Sequence, residues 1–303
     1  MLTQESHLPY DRPKLSKKLD ITIDACQLRN QAYFKTHNIN FVTNQLVANV
    51  DFNKKSITCK SGETYDYDKL LISTGLKSSS MPNVPGNCLK GIFTLRSLAD
   101  ANNIKNYYQN LVNNKGTVGR ELNVVLIGGS FISMECASYF IDKKAKTLVM
   151  SRNPAFHNLL GKEVSAKIIQ LHESKGVQFL VDKNFNVKEF KASNAEPGVL
   201  SEIELIDGKK YPCDLCLLAI GSTPCTEFLR NSELKMTQNN LIQVDENMQT
   251  NIKDVYAAGD ITSFPNSCIL GFNSKSGTDF INIAHWGLAS AQGIFIFLIN
   301  FWK

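Results

Sequence analysis

No stretch of this 303-residue chain is long and apolar enough to span a bilayer. The nearest candidate, GIFIFLINFWK at the end, reads as one buried helix. No secretory signal opens the chain. No run of basic residues alternates with aromatics, and a formal charge of +5 is spread along the length. That describes a mildly basic surface and excludes a nucleic-acid site. The eight cysteines fall at irregular spacing in a chain too large to need staples, which favours free thiols in a reducing compartment. Cys213 and Cys216 form a C-x-x-C inside the apolar run CDLCLLAIG. Side chains three apart on a strand point to opposite faces, so these two read as core and not as a redox or metal pair. What is present is ordinary: 43% apolar and 20% charged residues, enough chain for two domains with their own cores.

One stretch organises the rest, NVVLIGGSFISMECA from Asn123 to Ala137. Four aliphatic residues end at Gly128-Gly129, and a helical segment then carries Met134, Cys136 and Ala137. This is a buried parallel strand turning into a helix, the first half of a βαβ nucleotide-binding unit. Its unpaired N–H groups and positive end suit a diphosphate. The G-x-G-x-x-G fingerprint is degraded, since Ser130 and Ser133 stand where the second and third glycines belong. Serine keeps a hydroxyl for phosphate and is small enough to pack.

Around it, strands alternate with helices, which sets the class as α/β. HLPYDRPKLSK is a proline-punctuated loop entering a helix with Ser16 near its cap. Ala25 to Thr36 has helical spacing, Ile39 to Val42 and Leu46 to Phe52 alternate as strands, and Lys54 to Tyr67 is a hairpin turning at Ser61-Gly62. KLLISTG leads into a Ser- and Pro-rich boundary. Leu98 to Asn113 is helical, and a strand covers Lys146 to Met150. Lys162 to Lys175 is a helix closed by Gly176, with Val164, Ile168 and Leu171 on one face. Tyr211 to Ile220 is a buried strand ending at a second boundary, GSTP. A closing helix covers Ile283 to Ile299.

Three further patterns carry chemistry. NIKDVYAAGD delivers Asp260 to the end of a strand, where it accepts a sugar or ribityl hydroxyl or caps a turn. YDRPKLSK holds Arg12, suited to phosphate, and Lys17, a point charge. TLVMSR ends a strand in Ser151-Arg152, where a carboxylate would select a ribose 2′-hydroxyl. The arginine leans instead toward a 2′-phosphate, and so toward NADPH.

PYDRPKLSK, KLLISTG, GGSFISME and VYAAGD occur in the order found in the two-dinucleotide-binding flavoprotein reductases. The chain resembles their apoptosis-inducing-factor and ferredoxin-reductase-like branch, and HLPYDRPKLSK with NIAHWGLASAQG looks closest to the Rieske-bearing type. The resemblance runs from about His7 to about Asn300. It implies two Rossmann-like three-layer domains, an NAD(P)H domain at 76–222 inserted in an FAD domain at 1–75 and 223–303. It implies that Arg12, Lys17, Val47, Thr74, Gly75, Arg96, Asp260, His285 and Trp286 serve FAD. Lys17 would lie near the flavin N5 and pair with Glu135 as the catalytic pair. Gly128, Gly129, Ser130, Phe131, Ser151, Arg152 and Gly221 would serve NAD(P)H. The activity implied is electron transfer from NAD(P)H through flavin to an iron–sulfur protein or other acceptor. No metal site is implied, and the setting is mitochondrion or cytoplasm. The N-terminal part offers only the isolated Cys26 and Cys59, so electrons are expected to leave to an outside acceptor rather than an internal disulfide.

The family's opening strand, glycine loop and helix are missing, with Leu2 to Glu5 as the tail of the second strand. No C-x-H paired with C-x-x-H is present. The chain therefore reads as incomplete at both ends. Two rivals to the reductase stand beside it: a nucleotide-binding or signalling module without turnover, and a truncated product without function.

Overall fold

The computed structural model describes residues 1–113, 119–268 and 280–300. The chain divides into two compact units. One contains Tyr10–Leu28 and Ser78–Gly221; the other contains Met1–Pro9, Arg29–Lys77 and Ser222–Lys303.

The first unit is built on a five-stranded, wholly parallel sheet. Its order is Ile92–Thr94, Leu215–Leu218, Asn123–Ile127, Lys146–Ser151, Gln178–Val181. Such a sheet is buried on both faces, which is why its strands read as continuous apolar runs. Alternation sorts the side chains. Val124 and Leu126 join Ile104 of the helix Leu98–Asn113 and Phe140 of the helix Phe131–Asp142. Val125 and Ile127 face the opposite way, toward Phe190 and Ile203 of an antiparallel sheet formed by Val187–Ala192, Leu200–Leu205 and Lys210–Pro212. Each residue from Val124 to Ile127 is at most 1% exposed, and full burial of such a side chain is worth about 1.5–3 kcal/mol. The strip Tyr10–Leu28 belongs to this unit although its sequence place is in the first segment: Leu15 and Leu19 sit in the helical core.

The second unit has smaller sheets. Val47–Asp51, Ser56–Cys59 and Thr64–Asp66 form an antiparallel meander, Leu70–Ile72 pairs in parallel with Val255–Ala257, and Ile242–Gln243, Thr262–Pro265 and Phe280–Ile281 make a third sheet. Ile72, Val255, Ile261, Phe264 and Ile296 share its core. The helix Trp286–Asn300 closes it.

Each unit fastens its own ends where the connections leave. Ser79 N–H donates to Gly221 O at 2.9 Å, and Cys225 N–H donates to Gly75 O at 2.9 Å.

Several local expectations are corrected. The helix expected from Ala25 to Thr36 is two short helices, Ile23–Cys26 and Gln31–Thr36. Gln27 between them is extended and bridges Tyr10, and Asn30 caps the second by accepting from Tyr33 N–H. Ile39 to Val42 is reduced to one bridge, Leu2 with Val42. Ser16 is not near an N-cap; it lies in the last turn of the helix Pro13–Lys17 and is buried. Tyr211 to Ile220 breaks after Pro212. Cys213 N–H still bonds Ser201 O, while Asp214 N–H bonds Asn123 O, so the chain changes sheets there. Cys213 and Cys216 consequently enter the same core cluster instead of opposite faces. The span His157–Glu173 is two helices that meet at Gly161, non-helical at φ +79°, so the second begins at Lys162 as expected and a short extra helix precedes it. Val164 and Leu171 of the second helix face solvent.

Candidate functional site

Gly128 ends the buried strand Asn123–Ile127 at φ +117°, and a Cβ there would lie 2.1 Å from Ala219 O. Only glycine fits both demands. Its N–H donates to Met150 O at 2.8 Å, which locks the turn to the next strand. Gly129 is nearly as confined, since a Cβ would sit 3.2 Å from Ala155 Cα. Ser130 then takes the cap position of the helix Phe131–Asp142 without any side chain bonding the helix's first N–H groups. Those donors and the positive end of the macrodipole stay open to an anion. Ser133, in the third glycine position, is fully buried, and its Oγ has no hydrogen-bond partner.

Neighbouring strands end at the same edge, because all run parallel: Ile127 is in register with Met150 on one side and Leu218 on the other. Gly128, Gly129, Ser130, Phe131, Ser151, Arg152 and Gly221 are therefore brought to one side of the sheet, the usual place for a ligand in an open α/β sheet. Their states differ. Ser151 is buried and donates to Asn153 O at 2.7 Å. Arg152 is exposed, its Nε donating to Phe185 O at 3.2 Å. Phe131 packs on Phe156, ring centres 4.7 Å apart. Gly221 has φ +111° and open space around it. A dinucleotide diphosphate fits this cradle on two counts: a turn that excludes Cβ and uncapped N–H groups.

Beside the same helix lies the Lys17–Glu135 pair. Nζ is 3.0 Å from Oε1, with the lysine side chain 57% and the glutamate 26% exposed. Ser16 Oγ donates to Glu135 Oε2 at 2.5 Å, and Lys17 Nζ also donates to Pro13 O at 2.9 Å. An ion pair this wet adds only about 0–1 kcal/mol to stability, so its value lies in holding a charge in place. Next to it Cys136 Sγ donates to Ser16 O at 3.6 Å, and burial pushes that thiol well above its ordinary pKa.

Arg12 is set by its neighbours. Nη1 donates to Tyr10 Oη and to Arg96 O, both at 3.0 Å, while Leu98 N–H donates to the same Tyr10 hydroxyl. Asp100 accepts from Arg96 N–H and Ser97 N–H, and Ser97 Oγ accepts from Asp100 N–H, a reciprocal cap on the helix Leu98–Asn113. Arg12, Lys17 and Arg96 all belong to the unit with the glycine turn.

Val47, Thr74, Gly75, Asp260, His285 and Trp286 belong to the other unit. Val47 opens its meander, and Thr74 Oγ1 donates to Cys225 O at 2.8 Å beside Gly75. Asp260 follows the buried strand Val255–Ala257 in a tight turn. That turn is held against the helix Trp286–Asn300: Gln292, buried, accepts from Gly259 N–H at 2.8 Å, and a Cβ on Gly259 would meet Ala289. Asn282 Nδ2 donates to Asp260 O at 2.9 Å. His285 Nδ1 accepts from Gly287 N–H at 3.1 Å, and Trp286 is half exposed at the helix start.

Sequence reasoning missed the partners of Ser16, Tyr10 and Gln292, which are Glu135, Leu98 N–H and Gly259 N–H. These lie 119, 88 and 33 residues away, and no local pattern marks them. Cys26 and Cys59 are buried free thiols in different units, and burial raises both pKa values. Among the described residues no helix is long and apolar enough to cross a membrane.

A family model described as pyridine nucleotide-disulphide oxidoreductase matches residues 1–293. The chain is 32% identical to apoptosis-inducing factor 3 of Homo sapiens over 97% of its own length and 45% of that protein's. It therefore spans less than half of that relative. It is 28% identical to rubredoxin-NAD(+) reductase of Pseudomonas putida, covering 92% of this chain and 67% of the other. Among solved structures it is similar to the ferredoxin reductase for the CYP199A2 system from Rhodopseudomonas palustris, with TM-score 0.82, 23% identity and coverage of 96% and 66%.

Proposed function

The chain belongs to the pyridine nucleotide-disulphide oxidoreductase family, and from that premise we propose that it is an FAD-dependent NAD(P)H oxidoreductase of the apoptosis-inducing-factor-like type. It hands electrons to an iron–sulfur protein or another outside acceptor. The single observation that carries this reading is the Lys17–Glu135 pair, fixed by Ser16 beside the helix that leaves the glycine turn. A dinucleotide site alone suits many proteins; a positioned cation next to it suits redox chemistry.

The open N–H groups after Ser130 receive the NAD(P)H diphosphate. Arg152 meets the adenosine ribose, and with no carboxylate at Ser151 the site favours a 2′-phosphate. Arg12 and Arg96 serve FAD phosphates, Val47, Thr74 and Gly75 its adenosine, and Asp260 its ribityl chain. His285 and Trp286 stand at the pyrimidine end, where the helix Trp286–Asn300 directs its positive end. Flavin, when bound, supplies hydride acceptance and onward electron transfer. Lys17 places positive charge where negative charge accumulates on reduction, and Glu135 keeps the ammonium oriented. Cys26 and Cys59 are buried free thiols that belong to different units, which favours an outside acceptor as the electron exit. Mitochondrion or cytoplasm is the setting that agrees with free cysteines and with the resemblance.

The purified chain should carry a flavin spectrum that NADH or NADPH bleaches without oxygen; a protein that binds nucleotide but no flavin would instead be the rival binding module. Lys17→Ala should slow flavin reduction while leaving nicotinamide binding nearly intact. Asp260→Ala should lower flavin content with little change in fold, and unchanged content would remove that role. Equal kcat/KM for NADH and NADPH would end the case for Arg152.

A further inference from the structure

Beyond the break at Gly161, residues 162–173 rest on Met134, Ala155 and Phe156 through the half-buried Ile168 and Ile169. The one buried residue of this helix is Ser165, whose hydroxyl donates to Ala155 O at 2.5 Å, and His172 faces Met134 O at 3.2 Å. Outward, Val164 is 48% and Leu171 60% exposed. With Ile168 between them and Glu163 and Lys167 alongside, they line a shallow trough. Leu159 and Leu160, just ahead of the break at Gly161, are exposed as well. A contiguous apolar stripe on an otherwise charged helix marks a surface built to be covered.

The charges beside the stripe say by what. Glu163 has no ion pair or hydrogen bond among the described residues, and Lys167 reaches only Gln170 Oε1 at 3.5 Å. The two stand one helical turn apart, on the same face as Val164. We propose that this face binds a second copy of the chain, the helical residues 162–173 of each packing antiparallel about a two-fold axis that crosses the outer face level with position 165 along the helix. That arrangement sets Glu163 of each copy opposite Lys167 of the other and also opposes the helix dipoles. A parallel pairing sets like charge against like. The surface is thus complementary to itself, as a closed two-fold interface requires. One helix face covers less than the ~1,200 Å² of a stable complex, so the dimer is weak and concentration-dependent, with a Kd on the order of micromolar.

Sedimentation velocity of the 303-residue chain from about 1 to about 100 µM tests this, the window a micromolar Kd demands. The weight-average mass should climb toward two chains. Val164→Asp should stay at one chain throughout, with an unchanged circular dichroism spectrum. Glu163→Lys should weaken dimerisation about tenfold, the size of effect a close charge pair produces. Glu163→Lys combined with Lys167→Glu should restore it, because the swapped charges meet again across the axis. A wild-type chain that stays monomeric overturns the proposal, as does self-association indifferent to Val164→Asp. A double variant no tighter than the single one overturns the antiparallel pairing, and the charge variants decide the matter even if Val164→Asp fails to fold.

Discussion

The two units solve the same problem with unequal means. The unit with the glycine turn has a five-stranded parallel sheet covered on both faces, and its central strand is flanked on each side. The other distributes its strands over sheets of two or three among the described residues, where the strand Leu70–Ile72 has one partner, with Leu71 39% exposed. A strand hydrogen-bonded on both edges and packed on both faces opens only with its whole unit; one with a free edge opens locally. Rigidity is therefore concentrated around Gly128, while the segment leading to Thr74 depends on a thinner scaffold.

The strongest way to break this contrast is at Gly128. Gly128→Val should remove at least ~3 kcal/mol and yield insoluble or unfolded protein, since the new side chain collides with Ala219 O. Gly221→Ala, where there is open space and only backbone strain, should cost about 1 kcal/mol in urea unfolding. Hydrogen exchange sharpens the comparison without mutation. Amides of Val124–Ile127 should exchange roughly 100-fold more slowly than those of Leu70–Ile72, a gap of about 2.7 kcal/mol; equal protection would show the two units to be equally firm. Next, Gln292→Leu leaves the Gly259 N–H without its acceptor, a loss of about 1–3 kcal/mol. It should lower the Tm and flavin content together. The smallest effect concerns Glu204 on the antiparallel sheet, ringed by Lys188, Lys191 and Lys210. Hydrogen bonds from Lys188 and Lys191 pull its carboxyl from 4.5 down to about 2. A depressed carboxyl stabilises the fold above its unfolded value and loses that contribution as pH falls toward the folded one. Wild type should thus exceed Glu204→Gln in unfolding midpoint above pH 4.5, and the difference should close as the pH approaches about 2.

The glycine turn was legible because its logic is local: an aliphatic run, a residue that tolerates φ +117°, then helical spacing. The α/β alternation and the position of the closing helix were legible for the same reason. The burial of that helix was not: it was expected to be a buried helix, and Ile294, Phe297 and Leu298 are exposed while Ile296 alone of that run enters the core. Cys213 and Cys216 are core residues as expected, but their faces were misread because period-two reasoning assumes one unbroken strand, and the switch of sheets after Pro212 resets the phase. Ser16 resembles a cap in sequence; only the folded chain shows its hydroxyl committed to Glu135. Val164 and Leu171 have the spacing of core residues, and spacing reports that a helix has a face without saying which way the face points.

Residues 79–221 look like a cassette, since Ser79 and Gly221 are hydrogen-bonded to each other at its mouth. A transplant of that stretch into another host would nevertheless leave a bare flank. Leu15 and Leu19, supplied from far upstream, shield Ile104 and Phe140 from water. Evolution or engineering that shuffles this module has to move two separate pieces of chain in concert.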